Sequence, residues 1–210
     1  MVLVEGDYCP DVEEKCLRWL DPPESPYHEF RCAEYKKPSV CKSKERVHMR
    51  FCIDVGERTE DGSDIPKNRM SWTSSKALCE SAGARVCRES EWQFACEGED
   101  MLPYPYGYER DSNRCNTDII DGLGRPGRLK DHRAPASAHP DCKSPFGVHD
   151  MAGNMEEWVT ADGKQGKMGW KQVMKGSWWI PSRHACRSFQ IGHDAHYAGA
   201  ETGARCCKDL

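Results

Sequence analysis

Between Lys175 and Ser188 the chain reads KGSWWIPSRHACRS, which gathers a serine, a histidine, a cysteine and an arginine in one short run. A cysteine thiolate is both a nucleophile and a soft metal ligand, and a neutral imidazole suits iron, copper or zinc. Slightly further on, HDAH supplies His193, Asp194 and His196, followed by Glu201. Two histidines and a carboxylate can hold ferrous iron with open positions. His184, His193 and His196 are therefore candidate ligands of a mononuclear iron or copper site. In that reading Cys186 is a ligand or reactive thiolate and Ser177 positions oxygen or substrate. The plainer reading makes Cys186 half of a structural disulfide and HDAH a surface loop, because H-x-x-H away from a helix fixes no geometry.

DMAGNMEEW, at residues 150–158, points to different chemistry. Calcium takes six to eight oxygens, several of them backbone carbonyls, from a loop that bends around the ion. Asp150 and Glu157 offer carboxylates, Gly153 permits the turn and exposes its carbonyl, and Met155 adds another carbonyl. The alternative is a turn whose acids are merely solvated. Other chemistries lack their signatures: there is no G-x-S-x-G elbow and no phosphate-binding glycine loop. In a strand, Trp178 and Trp179 point to opposite faces, which predicts one in the core and one lining a ligand cleft with Ser177, His184 and Arg187. Tyr104, Tyr106 and Tyr108 alternate and form either an exposed aromatic strip or turn packing.

The elements that must position these residues are short. Of 210 residues only 38% are apolar, while glycine and proline number 18 and 13, which predicts a loop-rich chain whose stability comes partly from cross-links. There are 13 cysteines and no C-x-x-C, a pattern that fits a disulfide framework made in an oxidising compartment. An odd number leaves one thiol free, metal-bound or bridged to another chain. The chain reads as extracytoplasmic, periplasmic or secreted, with a leader absent from this sequence. A net charge of −4 with mixed signs gives no nucleic-acid footprint, and no apolar run is long enough for a membrane span.

Residues 9–50 read as an irregular, disulfide-pinned segment leading into a strand at 48–55. SWTSSKALCESAGARVC predicts a helix capped by Ser71 or Thr73 and ended by Gly83. ESEWQFACEG predicts a second, with Trp92, Ala95 and Cys96 on one face and Gly98 as its stop. GVHDM, EEWV, QVMKGSWW and TGARCC read as short strands.

AGARVCRESEWQFAC, YPYG, CN, SPFGVHDMAGNMEEWV, KGSWW, CRS and TGARCC, in that order, resemble the formylglycine-generating-enzyme (sulfatase-modifying factor) family. The match runs from about Ser71 to the C-terminus, and MVLVEGDYCP resembles the family's first strand. The resemblance implies an α+β, C-type-lectin-like fold of low regularity, in a single domain over 1–210, with bound calcium. It also implies a copper ion on two cysteines that converts a substrate cysteine to formylglycine. Counted from Ser177, the first of those cysteines falls at Ile180 and the second at Ala185, one step before Cys186. One thiolate and an isoleucine make no linear Cu(I) site, so ordinary formylglycine generation is not expected. A family tryptophan is Glu156 here. The resemblance pairs Cys79 with Cys206 and leaves the partner of Cys96 open, with Cys207 a candidate. It places calcium on Asp150, Gly153, Met155 and Glu157. A second calcium site would start at Asn116 and the Thr117 carbonyl, but its later aspartate falls near Arg128 unless Asp118 or Asp131 substitutes.

The expected function is a non-catalytic, calcium-stabilised binding domain for a protein, glycan or small ligand. The competitors are the rebuilt iron or copper oxidoreductase and a self-assembling structural subunit.

Overall fold

The computed structural model describes residues 1–121, 130–136 and 138–210; Arg128 lies outside them. Strand β1 (Val2–Tyr8) pairs antiparallel with β6 (Val47–Ile53), with Val4 opposite Phe51 and Val2 opposite Ile53. Val4, Tyr8, Phe51 and Ile53 are buried, as the two-residue period of a half-covered sheet requires. The C-terminal β11 (Cys206–Asp209) lies on the other side of β6, and β7 (Arg85–Val86) completes a sheet ordered β1-β6-β11-β7. A second sheet, β10-β8-β9, is built from β8 (Glu156–Gln165), β9 (Trp170–Lys175) and the short β10 (Thr202–Gly203).

Two helices pack beside these sheets. In α1 (Trp72–Ser81) the Ser71 hydroxyl accepts from Ser74 N–H at 3.0 Å, and Gly83 follows the end at φ +65°. α2 (Glu89–Glu97) stops at Gly98, φ +67°. Both ends follow the expected cap residues, because only a residue tolerant of positive φ turns the chain out of the helix there. Trp92, Phe94, Ala95 and Cys96 of α2 join Phe51, Ile53, Met151, Val159 and Val173 in the main core.

Residues 9–50, expected to be irregular and disulfide-pinned, carry short strand pairs between the cystines Cys9–Cys41 and Cys16–Cys32. β2 (Val12–Glu13) pairs with β5 (Val40–Cys41), and β3 (Cys16–Trp19) with β4 (Cys32–Tyr35), around a 3-10 turn at His28–Phe30. Strands of two to four residues carry too little periodicity to be read. GVHDM is corrected: it forms only an isolated bridge between Lys143 and His149. QVMKGSWW stops as a strand at Lys175, where Gly176 and Ser177 turn to φ +80° and +58°.

Six disulfides tie the elements: Cys9–Cys41, Cys16–Cys32, Cys79–Cys206, Cys87–Cys207, Cys96–Cys186 and Cys115–Cys142. Adjacent residues of a strand face opposite ways, so Cys206 reaches α1 while Cys207 reaches the β7–α2 junction. Cys207 as partner of Cys96 is thereby corrected. Cys52, half-buried on β6, is the unpaired thiol.

Candidate functional site

The turn after β9 presents the residues that promised chemistry. A Cβ at Gly176 would stand 3.3 Å from the Trp92 ring and 3.4 Å from the Met151 carbonyl, so the backbone passes tight against the core. Ser177 is buried in the left-handed region, and its Oγ has no hydrogen-bond partner. A non-glycine residue held there stores backbone strain. Trp179 is buried and Trp178 half-buried, with their rings edge-on at 5.1 Å.

Beyond them Cys186, His184 and Arg187 are engaged. Cys186 is bonded to Cys96, so its role as thiolate, ligand or catalytic residue is corrected: a disulfide sulfur neither attacks nor grips a metal as a thiolate does. His184 is 1% exposed, with Nδ1 2.5 Å from an Arg110 guanidinium nitrogen and Nε2 2.8 Å from the Trp178 carbonyl. Those partners assign the neutral tautomer with the proton on Nε2. Burial, reinforced by Arg110, pushes its pKa down to about 3. With both ring nitrogens occupied it is no ligand, and that expectation too is corrected. His193 stacks on Tyr197 at 3.8 Å, and His196 is exposed. Among the described residues no three His, Cys, Asp or Glu side chains are placed to hold a metal ion together.

Arg187 forks onto Glu97 at 2.8 and 2.6 Å and donates to the carbonyls of Cys9 and Pro10, clamping the Cys-rich segment to α2. It also lines a groove of about 420 Å³ with Phe30, Arg183, Phe189 and Gln190. Arg183 lies over the Phe30 ring at 3.9 Å and bonds Gln190 at 2.5 Å. The expected ligand cleft is corrected in part: Arg187 lines this groove, whereas Ser177, Trp178 and His184 do not.

The Asp150–Glu157 segment behaves differently. Asp150 and Asn154 are left-handed at φ +58°, and Gly153 at +86°. A Cβ on Gly153 would fall 2.3 Å from the Asn116 carbonyl, so only glycine lets this loop close on Asn116 and Thr117. Asn116 Nδ2 donates to Asn154 Oδ1 at 2.9 Å, and Asn154 Nδ2 donates to Glu57 Oε2 at 2.5 Å. Glu57 Oε1 accepts from Met155 N–H at 2.8 Å. Glu157 takes Arg205 through both oxygens and the Trp92 indole N–H at 2.6 Å. Asp150 is 3% exposed and its Oδ2 has no partner.

Burial pushes the Asp150 carboxyl up to about 7, Arg205 opposing and Glu157 adding to the rise. Glu57 is raised well above its ordinary value by the same burial and by Glu157 and Asp150. Three buried carboxyls thus face one guanidinium, Arg205. Glu157 is matched by Arg205, so the cluster is short of positive charge around Glu57 and Asp150, and Asp150 Oδ2 has no partner; a cation held partly by backbone carbonyls would supply that charge. At the second expected site, Asp118 is held by Arg110 at 2.7 Å and Arg31 at 3.1 Å, and Asp131 by Arg133 at 2.8 Å. Neither side chain is free to replace the aspartate. Glu57 and Arg205 escaped sequence reasoning, since DVGERTE and GARCC carry no local sign that they meet.

Glu156, where the family keeps a tryptophan, is also buried. Desolvation, then the neighbouring Glu201, pushes its carboxyl up to about 8.

A sequence model of the sulfatase-modifying factor enzyme 1-like domain matches residues 24–210. The chain belongs to that family, as a divergent member with Ile180 in place of the first copper cysteine. It is 28% identical over 173 residues to inactive C-alpha-formylglycine-generating enzyme 2 of Bos taurus, covering 77% of this chain and 56% of that protein. It thus spans little more than half of that relative's length. The solved structure of CarF superimposes with a TM-score of 0.64 at 16% identity, covering 100% of this chain and 97% of CarF. PvdO from Pseudomonas aeruginosa gives 0.61 at 15% identity, covering 99% and 94%. At that identity the likeness shows the fold alone: α+β, disulfide-rich and low in regular structure.

Proposed function

We propose that this chain is a non-catalytic, extracytoplasmic recognition domain, stabilised by calcium, that binds a protein, glycan or small ligand. One observation carries the reading: the turn that holds paired copper thiolates in the family has Ile180 at one position and a cystine, Cys96–Cys186, beside the other. A soft Cu(I) ion finds no thiolate there. The bovine relative carries the word inactive in its name, which agrees with this reading. Six disulfides favour an oxidising compartment. Among the described residues no helix is long and apolar enough to cross a membrane.

Calcium would be held by the Asp150 carboxylate and the carbonyls of Gly153 and Met155, with Glu157 completing the charge. When bound it supplies charge compensation and loop rigidity, with no chemistry of its own. The groove between Phe30 and Phe189 is the recognition surface this reading favours, because Arg183 has donors there beyond the one given to Gln190. Incubating the full chain with copper, oxygen and a cysteine-containing peptide tests the reading. No aldehyde product by mass spectrometry is expected, and aldehyde formation overturns it. Metal analysis after mild purification should show calcium without stoichiometric iron or copper.

A further inference from the structure

The segment YPYGYERD builds a second pocket, of about 480 Å³, which shares no lining residue with the Arg187 groove. Its volume falls within the roughly 300–1,000 Å³ range of small-ligand sites. A tight turn closes it: Tyr104 N–H donates to the Gly107 carbonyl and Gly107 N–H to that of Tyr104, each at 3.0 Å. The Cys-rich segment contributes Lys37 to the lining and is tied to this turn through its backbone. Tyr35 N–H donates to the Tyr108 carbonyl and Arg110 N–H to that of Ala33, both at 2.9 Å.

The Tyr106 ring stacks on buried Tyr104 at 5.6 Å and 8°. Tyr104 is in turn anchored through its hydroxyl to the Cys32 carbonyl, which backs the aromatic surface rigidly. Lys37 stands 5.6 Å from the Tyr108 ring centre, and Arg114 stands 5.6 Å from that of Tyr106.

The charges come in balanced pairs, Lys37 with Glu109 at 3.2 Å and Arg114 with Asp111 at 3.4 Å. Their side chains are 41–66% exposed. Such exposed pairs are weak because water screens them, so a ligand can open them at little loss. Arg110 also lines the pocket and keeps one buried group, Nη1, without a partner.

This lining selects its ligand by exclusion. Among the described lining residues no aliphatic side chain is present for an apolar molecule. A phosphate would meet Glu109 and Asp111, and a metal cation would meet Lys37 and Arg114. A neutral ring with a C–H face and many hydroxyls satisfies all of them. Its flat face lies on Tyr106 or Tyr108 once Arg114 or Lys37 swings off the ring, its hydroxyls donate to the carboxylates, and its oxygens accept from the displaced ammonium and guanidinium groups.

We propose that this pocket binds a neutral sugar unit of an oligosaccharide, with Tyr106 and Tyr108 as the stacking surface and the two ion pairs reading its hydroxyls. The proposal rests on the recognition reading but uses a separate surface. A sugar result and the copper–peptide assay can therefore fail independently.

The test is calorimetric titration of the full chain with maltotriose, cellotriose, chitotriose and mannotriose, followed by amide NMR mapping on the wild-type protein. At least one trisaccharide should bind with a sub-millimolar Kd, little changed between 50 and 500 mM salt, and should shift signals of Lys37 and residues 106–114. Tyr108→Ser should weaken it at least tenfold and Glu109→Gln severalfold. Absence of binding by all four sugars, shifts confined to the Arg187 groove, or preference for a sulfated trisaccharide with steep salt dependence would each overturn the proposal. The wild-type map decides even if a variant misfolds.

Discussion

The turn after β9 and the loop from Asp150 to Glu157 sit side by side, Gly153 N–H donating to the Gly176 carbonyl at 2.8 Å, yet they differ in what their polar groups still lack. In the turn, His184, Cys186 and Arg187 have their bonding capacity taken by Arg110 and Trp178, by Cys96, and by Glu97, and the groups left over are the Ser177 hydroxyl and the Lys175 ammonium, neither of them a carboxylate. In the loop, Asp150 keeps a buried oxygen without a partner and three carboxyls share one guanidinium. Residue types that suggest chemistry in a sequence are reactive only where the fold leaves them unsatisfied. By that criterion His184, Cys186 and Arg187 are committed to the scaffold, while the Ser177 hydroxyl, the Lys175 ammonium and Asp150 Oδ2 are buried groups left without a partner.

Removing the loop's sole guanidinium should have the largest effect. Arg205→Met strips the partner from 1%-exposed Glu157, and an uncompensated buried charge costs about 3–5 kcal/mol; urea unfolding should show a loss of that order, partly restored by calcium. In the turn, Cys96→Ser, which frees the Cys186 thiol, should cost about 2–4 kcal/mol and still produce no oxidase activity. A gain of copper-dependent oxidation would erase the contrast between the regions. Calcium at a hundredfold over its Kd should stabilise the protein by about 2.7 kcal/mol, raising the thermal midpoint, whereas Asp150→Asn should show no such rise.

The pH profile separates the regions further. Glu156 and Asp150 have folded pKa values of about 8 and about 7, above their unfolded ones. The folded state then holds more protons between about pH 4 and 8, so stability without calcium falls as pH rises through that window. Glu156→Gln should flatten the upper part of the decline, and calcium should flatten the part due to Asp150. The smallest effect is expected at Ser177→Gly, which relieves a left-handed residue and removes an unpartnered hydroxyl. A gain below about 1 kcal/mol is expected, and a loss would mean that the serine has a partner in solution.

Much of the fold was legible because its signals are local. Ser71, Gly83 and Gly98 bound the two helices through capping and positive φ, and Phe51 and Ile53 mark β6 by alternation. What was not legible depends on long-range meetings. Cys186 stands one residue off the family's cysteine position, and only the folded chain shows that it reaches Cys96, 90 residues away. Glu57 and Arg205 are uninformative alone; the buried charge imbalance exists only when β11 lies beside β6. Within 9–50, strands of two to four residues depend on the cystines Cys9–Cys41 and Cys16–Cys32 rather than on periodicity.

Alkylation of the folded, unreduced chain followed by peptide mapping addresses the central contrast most directly. A single adduct at Cys52, with Cys186 recovered cross-linked to Cys96, is the predicted result. Stoichiometric labelling of Cys186 would place a free thiol beside Ser177 and contradict the assignment of that turn as inert scaffold.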